Sequence, residues 1–263
     1  MINILYIHWH PNPEIFNIGG FGIRWYGLLF ACAFLFGYLI LQKIFQREKI
    51  PLKVLDRLSL YMLVGTVVGA RLGHCLFYEP DYYLANPWEI LNIRQGGLAS
   101  HGAAIGILLA LWLFSKKEKK PFSWTVDRMV IVVALSGFFI RLGNLMNSEI
   151  YGSVTTVPWA FVFDSVDNLP RHPSQIYESL TYLALFIFLL WLYYKRDVAK
   201  KPYLLFGYFL LVCFGFRFCV EFLKDVQVDF EHTMILNMGQ WLSIPFILAG
   251  IYFIVRSRKT IQK

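Results

Sequence analysis

Seven stretches of the chain are apolar for about the length of a bilayer crossing. They cover roughly residues 21–42, 58–78, 98–115, 128–146, 175–194, 203–223 and 236–255, and a spanning helix needs about 20 such residues. Gly and polar residues crowd one end of the third and fourth, so a partly re-entrant segment is the alternative reading for one of them. Positive charge punctuates the pattern. Eighteen of the 25 Lys and Arg fall into four clusters, Lys43–Arg57, Lys116–Arg128, Lys195–Lys201 and Arg256–Lys263. Each cluster borders an apolar run, and between clusters the chain makes two crossings. The positive-inside rule then puts all four clusters in the cytoplasm, with the N-terminus out and the C-terminus in. The pattern predicts an all-α polytopic membrane protein of seven transmembrane helices. It reads as one integral-membrane domain over 1–263, with outer loops 79–97, 147–174 and 224–235. Val154–Val157 and Ala160–Phe163 are β-prone stretches flanking Pro158, so the longest loop is expected to form a small periplasmic or extracellular cap.

Composition supports this class. The chain is 57% hydrophobic and 16% charged, against roughly 25% charged in soluble domains, with a mean hydropathy of +0.51. The net charge of +8 is accounted for by the cytoplasmic loops, and no soluble domain is left to bind nucleic acid. Cys32, Cys75, Cys213 and Cys219 lie in apolar runs without CxxC or CxxH spacing and read as packing residues. The first 20 residues lack a basic segment followed by an apolar core, so no cleavable signal is expected. Pro11, Pro13 and Gly19–Gly20 read as a loop or short interfacial segment.

Seven cations lie outside the clusters: Arg24, Arg71, Arg94, Arg141, Arg171, Arg217 and Lys224. A helix rises about 1.5 Å per residue, which places Arg71 about 20 Å above the inner end of its span. Arg141, Asn144, Arg217 and Glu221 come out similarly high. On the inward-running spans Arg24, Tyr26, His101, Gln175, Glu178 and Gln240 come early. All the unusual polar residues therefore converge on the outer leaflet, where charge is expensive and usually functional. Arg24 and Arg94 also fit snorkelling anchors. Arg217 and Glu221, four apart on one helix face, fit either a buried ion pair that fixes packing or an arginine held to grip an anion. His101, bracketed by Gly96-Gly97 and Gly102, is a candidate base or a structural histidine. No HExxH, GxSxG or phosphate-binding loop occurs.

Seven blocks resemble the bacterial prolipoprotein diacylglyceryl transferase family, in order and over nearly the whole chain. They are Ile23-Arg24-Trp25-Tyr26-Gly27, Gly69-Ala70-Arg71-Leu72-Gly73, Gly96–Gly102, Arg141–Gly152, His172–Glu178, Arg217–Phe222 and Met238-Gly239-Gln240 with Ser243-Ile244-Pro245. Arg141–Gly152 is the most specific. Ser100, Ala103, Ser153 and Lys224-Asp225-Val226 depart from the common pattern, which bears on the outer cap and on substrate access rather than on the reaction.

The resemblance implies transfer of a diacylglyceryl group from phosphatidylglycerol to the lipobox cysteine thiol of a prolipoprotein signal peptide. A thioether forms and glycerol phosphate leaves. His101, Arg141, Arg217 and Tyr26 are then expected to be catalytic. Asn144, Glu149, Gly152 and Arg71, with the two arginines, would bind substrate, and Glu178, Glu221, Gln175 and Gln240 would support them. Two guanidiniums would stabilise charge developing on the phosphate. The thiol, with a reference pKa of about 8.5, needs a base or a cationic field. No metal or cofactor is called for. The expected setting is the bacterial inner membrane, as a monomer, with the site facing the outer leaflet. The competing class is a transporter or channel for an anionic solute, which would spread polar residues through several depths.

Overall fold

The computed structural model describes residues 6–18, 21–92, 96–97, 99–195, 201–225 and 234–259. In chain order the elements are β1 (Ile7–Trp9), β2 (Glu14–Ile18), β3 (Phe21–Arg24), α1 (Trp25–Arg47), α2 (Leu52–Phe77), α3 (Pro80–Ala85), α4 (Ser100–Lys117), α5 (Phe122–Met146), β4 (Phe161–Phe163), β5 (Pro170–Arg171), α6 (Ser174–Lys195), α7 (Leu204–Val220) and α8 (Met238–Lys259). Every expected span has a helix at its place. Six of the described helices are long and apolar enough to cross a membrane: α1, α2, α5, α6, α7 with the turn that follows it, and α8. α4 falls short of that standard, because it opens on Ser100-His101-Gly102 and closes on Lys116-Lys117.

The expectation of an all-α chain is corrected by short strands, five among the described residues. β1 pairs in parallel with β4, which pairs antiparallel with β5, and β2 and β3 form a hairpin. α1 therefore starts at Trp25 rather than at residue 21, because Phe21–Arg24 is committed to the hairpin. The segment expected to be loop is partly strand.

The chain divides into two compact units. One comprises Met1–Leu39 and Asp127–Lys263. Its sheet buries Leu145, Phe161 and Phe163 under Trp9, Tyr151 and Ile176, and the Trp9 indole donates to the Leu145 carbonyl at 2.9 Å. This forms a small cap on the end of α5. At the other end of α5, buried Asp127 accepts hydrogen bonds from the Tyr203 and Phe206 amides, both at 2.8 Å. One helix thus caps the free N–H groups that open another.

The second unit is Ile40–Val126. Here α2 and α4 run antiparallel with their backbones almost touching. A Cβ at Gly69 would lie 2.5 Å from the Gly102 carbonyl oxygen and 2.8 Å from Gly106 Cα. Small residues at four-residue spacing let helices meet this closely, as lipid-embedded helices do. The Ala99 amide completes the contact by donating to the Ala70 carbonyl at 2.9 Å.

Candidate active site

The C-terminal end of α5 carries Arg141 and, three residues on, Asn144, so the two side chains share a face. Asn144 acts as a bridge. Its Oδ1 accepts from Arg141 Nη1 at 3.3 Å and its Nδ2 donates to Glu149 Oε1 at 2.8 Å. Asn147 Nδ2 donates to the same oxygen at 3.3 Å. Glu149 can turn back onto its own helix only because the backbone on either side of it is unusual. Ser148 and Ile150 have φ of 53° and 58°, a left-handed conformation that is costly for a β-branched residue. Three hydrogen bonds hold it: the Glu149 amide to the Asn144 carbonyl at 3.0 Å, Gln175 Nε2 to the Glu149 carbonyl at 2.8 Å, and Ser174 Oγ to the Ile150 carbonyl at 2.8 Å. The start of α6 thus clamps the segment after α5.

Two glycines of this segment serve close approach. A Cβ on Gly143 would sit 2.7 Å from Tyr26 Cδ2, so the Tyr26 ring rests directly on the α5 backbone. Tyr26 lies within electrostatic reach of Glu149 and Arg141. With Gly22, Ile23, Arg24, Gly27, Leu28 and Asn147 it lines a concavity of about 400 Å³. Gly152 is packed against the Leu223 carbonyl and His172, and its amide donates to the His172 carbonyl at 2.8 Å. Expected at the substrate, it marks where three stretches of chain cross.

The charged side chains of α5, α6, α7 and the turn that follows α7 form a continuous alternating series. Arg141 Nε is 3.0 Å from Glu178 Oε2, a close ion contact without aligned hydrogen-bond geometry. Glu178 Oε1 accepts from Lys224 Nζ at 3.0 Å. Lys224 Nζ is 3.8 Å from Glu221 Oε1, and that oxygen is 3.7 Å from Arg217 Nη2. The order is Arg141, Glu178, Lys224, Glu221, Arg217. The side chains of Glu178, Glu221 and Lys224 are 4, 9 and 6% exposed, whereas Arg141 is 15% and Arg217 is 41% exposed. The ends of the series therefore remain open to an anion while its middle is closed. Gln240 secures the base: its Oε1 accepts from the Asn237 amide at 3.0 Å and its Nε2 reaches the Phe218 carbonyl at 3.4 Å.

Ten of the expected site residues thus lie in one unit: Tyr26, Arg141, Asn144, Glu149, Gly152, Gln175, Glu178, Arg217, Glu221 and Gln240. Arg71 and His101 belong to the other. Arg71 is buried, and its guanidinium donates to five carbonyls, those of Glu89, Ile90, Asn92, Gly96 and Gly97, at 2.6 to 3.2 Å. A guanidinium has five N–H groups, so in this structure all are occupied by main chain, and Tyr83 covers the group at 5.0 Å. His101 stands exposed in the first turn of α4. Arg94 lies outside the described residues.

In sequence Lys224 stands only as one of the seven cations outside the clusters, with nothing to assign it to the site. Nor does the sequence mark the cap set in which Arg171 holds Asp167 at 2.7 Å and Asp225 at 3.0 Å. The Arg171 guanidinium keeps the Asp167 carboxyl below its ordinary range, and burial lowers the pKa of His172 beside it.

Long apolar helices, with an alternating ion series gathered between three of them, define a polytopic membrane protein. The chain belongs to the prolipoprotein diacylglyceryl transferase family, whose model matches residues 13–256. It is 48% identical over 254 residues to the phosphatidylglycerol–prolipoprotein diacylglyceryl transferase of Tolumonas auensis, covering 96% of this chain and 98% of that one. It is likewise 48% identical to the Bacteroides fragilis enzyme of that name, over 264 residues and 95% of each chain. Identity to the Rickettsia typhi enzyme is 39% over 250 residues, 93% of this chain and 96% of that one.

Proposed function

We propose that this protein transfers a diacylglyceryl group from phosphatidylglycerol to a prolipoprotein, with a cysteine thiol as acceptor. Near-full-length similarity to transferases of that name carries the reading, and family membership displaces the anion-transporter alternative. The thiolate sulfur attacks the glycerol carbon of the lipid. A C–S bond forms, the C–O bond to phosphate breaks, and glycerol phosphate leaves with the electron pair. Arg141 and Arg217 would face the phosphate and stabilise the charge gathering on it; their partial exposure at the two ends of the ion series supports this. Glu178 and Glu221 hold the two guanidiniums, with Gln175 and Gln240 behind them. Asn144 links Arg141 to Glu149, Tyr26 lines the adjoining concavity, and His101 is the candidate acceptor of the thiol proton.

Around this chemistry we place seven spans, N-terminus out and C-terminus in, with the chain working as one monomeric domain of the bacterial inner membrane. On that topology the site opens to the outer leaflet, and the basic helix ends support it: Arg47 closes α1, Lys195 closes α6, and Arg256, Arg258 and Lys259 close α8. Incubating purified protein with phosphatidylglycerol and a cysteine-bearing lipobox peptide should add one diacylglyceryl mass to the peptide. Folded protein that leaves the peptide mass unchanged would overturn the proposal.

A further inference from the structure

Lys224 occupies the centre of the ion series, yet the reaction as described assigns it no part. It is a lysine with its side chain 6% exposed, its Nζ 3.0 Å from Glu178 and 3.8 Å from Glu221. These are the two carboxylates that hold Arg141 and Arg217. An ammonium in such a place gives up much of its hydration, which only close carboxylates offset.

The cluster contains three cations, Arg141, Arg217 and Lys224. Three carboxylates face them: Glu178, Glu221 and, through Asn144, Glu149. The neighbouring Arg171 is already taken up by Asp167 and Asp225. Without Lys224, two guanidiniums would face three carboxylates. The glutamates would then compete with an incoming phosphate for the arginines, and the imbalance would centre on the closed middle of the series, where charge is felt most strongly.

Resting on the transferase reading above, we propose that Lys224 is a positioning and specificity-determining residue. By taking up the negative charge of Glu178 and Glu221 it leaves the Arg141 and Arg217 guanidiniums free to bind an anionic phosphodiester head group. A point charge suits the task, because one Nζ serves two carboxylates on different elements.

The test separates charge from packing. Lys224→Met should raise KM for phosphatidylglycerol by roughly tenfold or more, as expected when one partner of a buried charge pair is removed, and should change kcat less. Lys224→Arg should recover most of the loss. Adding Glu221→Gln to Lys224→Met removes the surplus negative charge and should bring KM back toward wild type, whereas a packing role predicts that the second substitution deepens the defect. An unchanged KM in Lys224→Met, or a double variant worse than the single, overturns the proposal.

Lipid binding, read by native mass spectrometry of the detergent-solubilised protein, keeps this test independent of turnover. Wild type should retain phosphatidylglycerol over phosphatidylcholine, and Lys224→Met should lose that preference even if the peptide assay fails for every variant. If Lys224→Met does not fold, Glu221→Gln alone must strengthen phosphatidylglycerol retention, and equal or weaker retention overturns the inference.

Discussion

At the scale of single residues, the proposed function concentrates in a few side chains whose neighbours are defined. Arg141 is tied to Glu178 through Nε and to Asn144 through Nη1, which orients the rest of its fork. Replacing Arg141 or Arg217 by Ala is expected to abolish transfer. Replacement by Lys should rescue poorly, because a compact ammonium cannot reproduce two parallel contacts to a phosphate. Near-wild-type turnover of Arg141→Lys in the peptide assay would exclude a forked clamp. His101→Gln should fold and bind lipid but lose about 10²–10⁴-fold in turnover, the usual cost of removing a general base. That loss should shrink as pH rises toward the pKa of the thiol. A ratio to wild type that stays flat from about pH 6 to 9 would remove the base assignment, since a thiol with a reference pKa of about 8.5 titrates within that range.

At the scale of elements, two junctions carry weight. The α2–α4 crossing depends on glycine, and Gly69→Leu would push a side chain into the Gly102 carbonyl and Gly106. Overpacking costs roughly 1–3 kcal/mol or more, so the melting temperature of the purified protein should fall clearly. An unchanged melt would mean that the two helices do not meet at this point. The cap is the second junction. Burial lowers the pKa of His172 in the folded protein, so the unfolded chain takes up the proton first. Stability should therefore be full above the ordinary imidazole pKa, about 6.5, and decline as pH falls from there toward the lowered folded value. Asp167, held low by Arg171, adds its own loss only in stronger acid, below about pH 4. Melting curves of wild type and His172→Gln between pH 8 and 5 should converge as pH falls, because Gln cannot take up the proton. Parallel curves would show that His172 does not titrate in that range.

At the scale of the whole molecule, the proposed topology places the N-terminus and the C-terminus on opposite sides of the membrane. Ser257 would be a poor reporter because it is fully buried. Lys259, exposed at the end of α8, and Asn12, exposed before β2, serve instead. A membrane-impermeant thiol reagent applied to intact cells should label Asn12→Cys and spare Lys259→Cys. The reverse result would invert the orientation.

The sequence by itself determined where the long helices lie and which family the motifs belong to. Bilayer length and the exclusion of charge from hydrocarbon act on local stretches of chain and leave a direct trace in composition. Tertiary structure decided what local patterns do not carry. The three-residue strand β1 finds its partner β4 more than 150 positions away, and segments so short show no periodicity to read. Arg71, indistinguishable in sequence from a ligand-binding arginine, directs all five donors to one stretch of main chain, and such pairing depends on where the chain returns. Lys224 follows the last turn after α7, and only the packing of that turn beside α6 places Glu178 and Glu221 on either side of its ammonium.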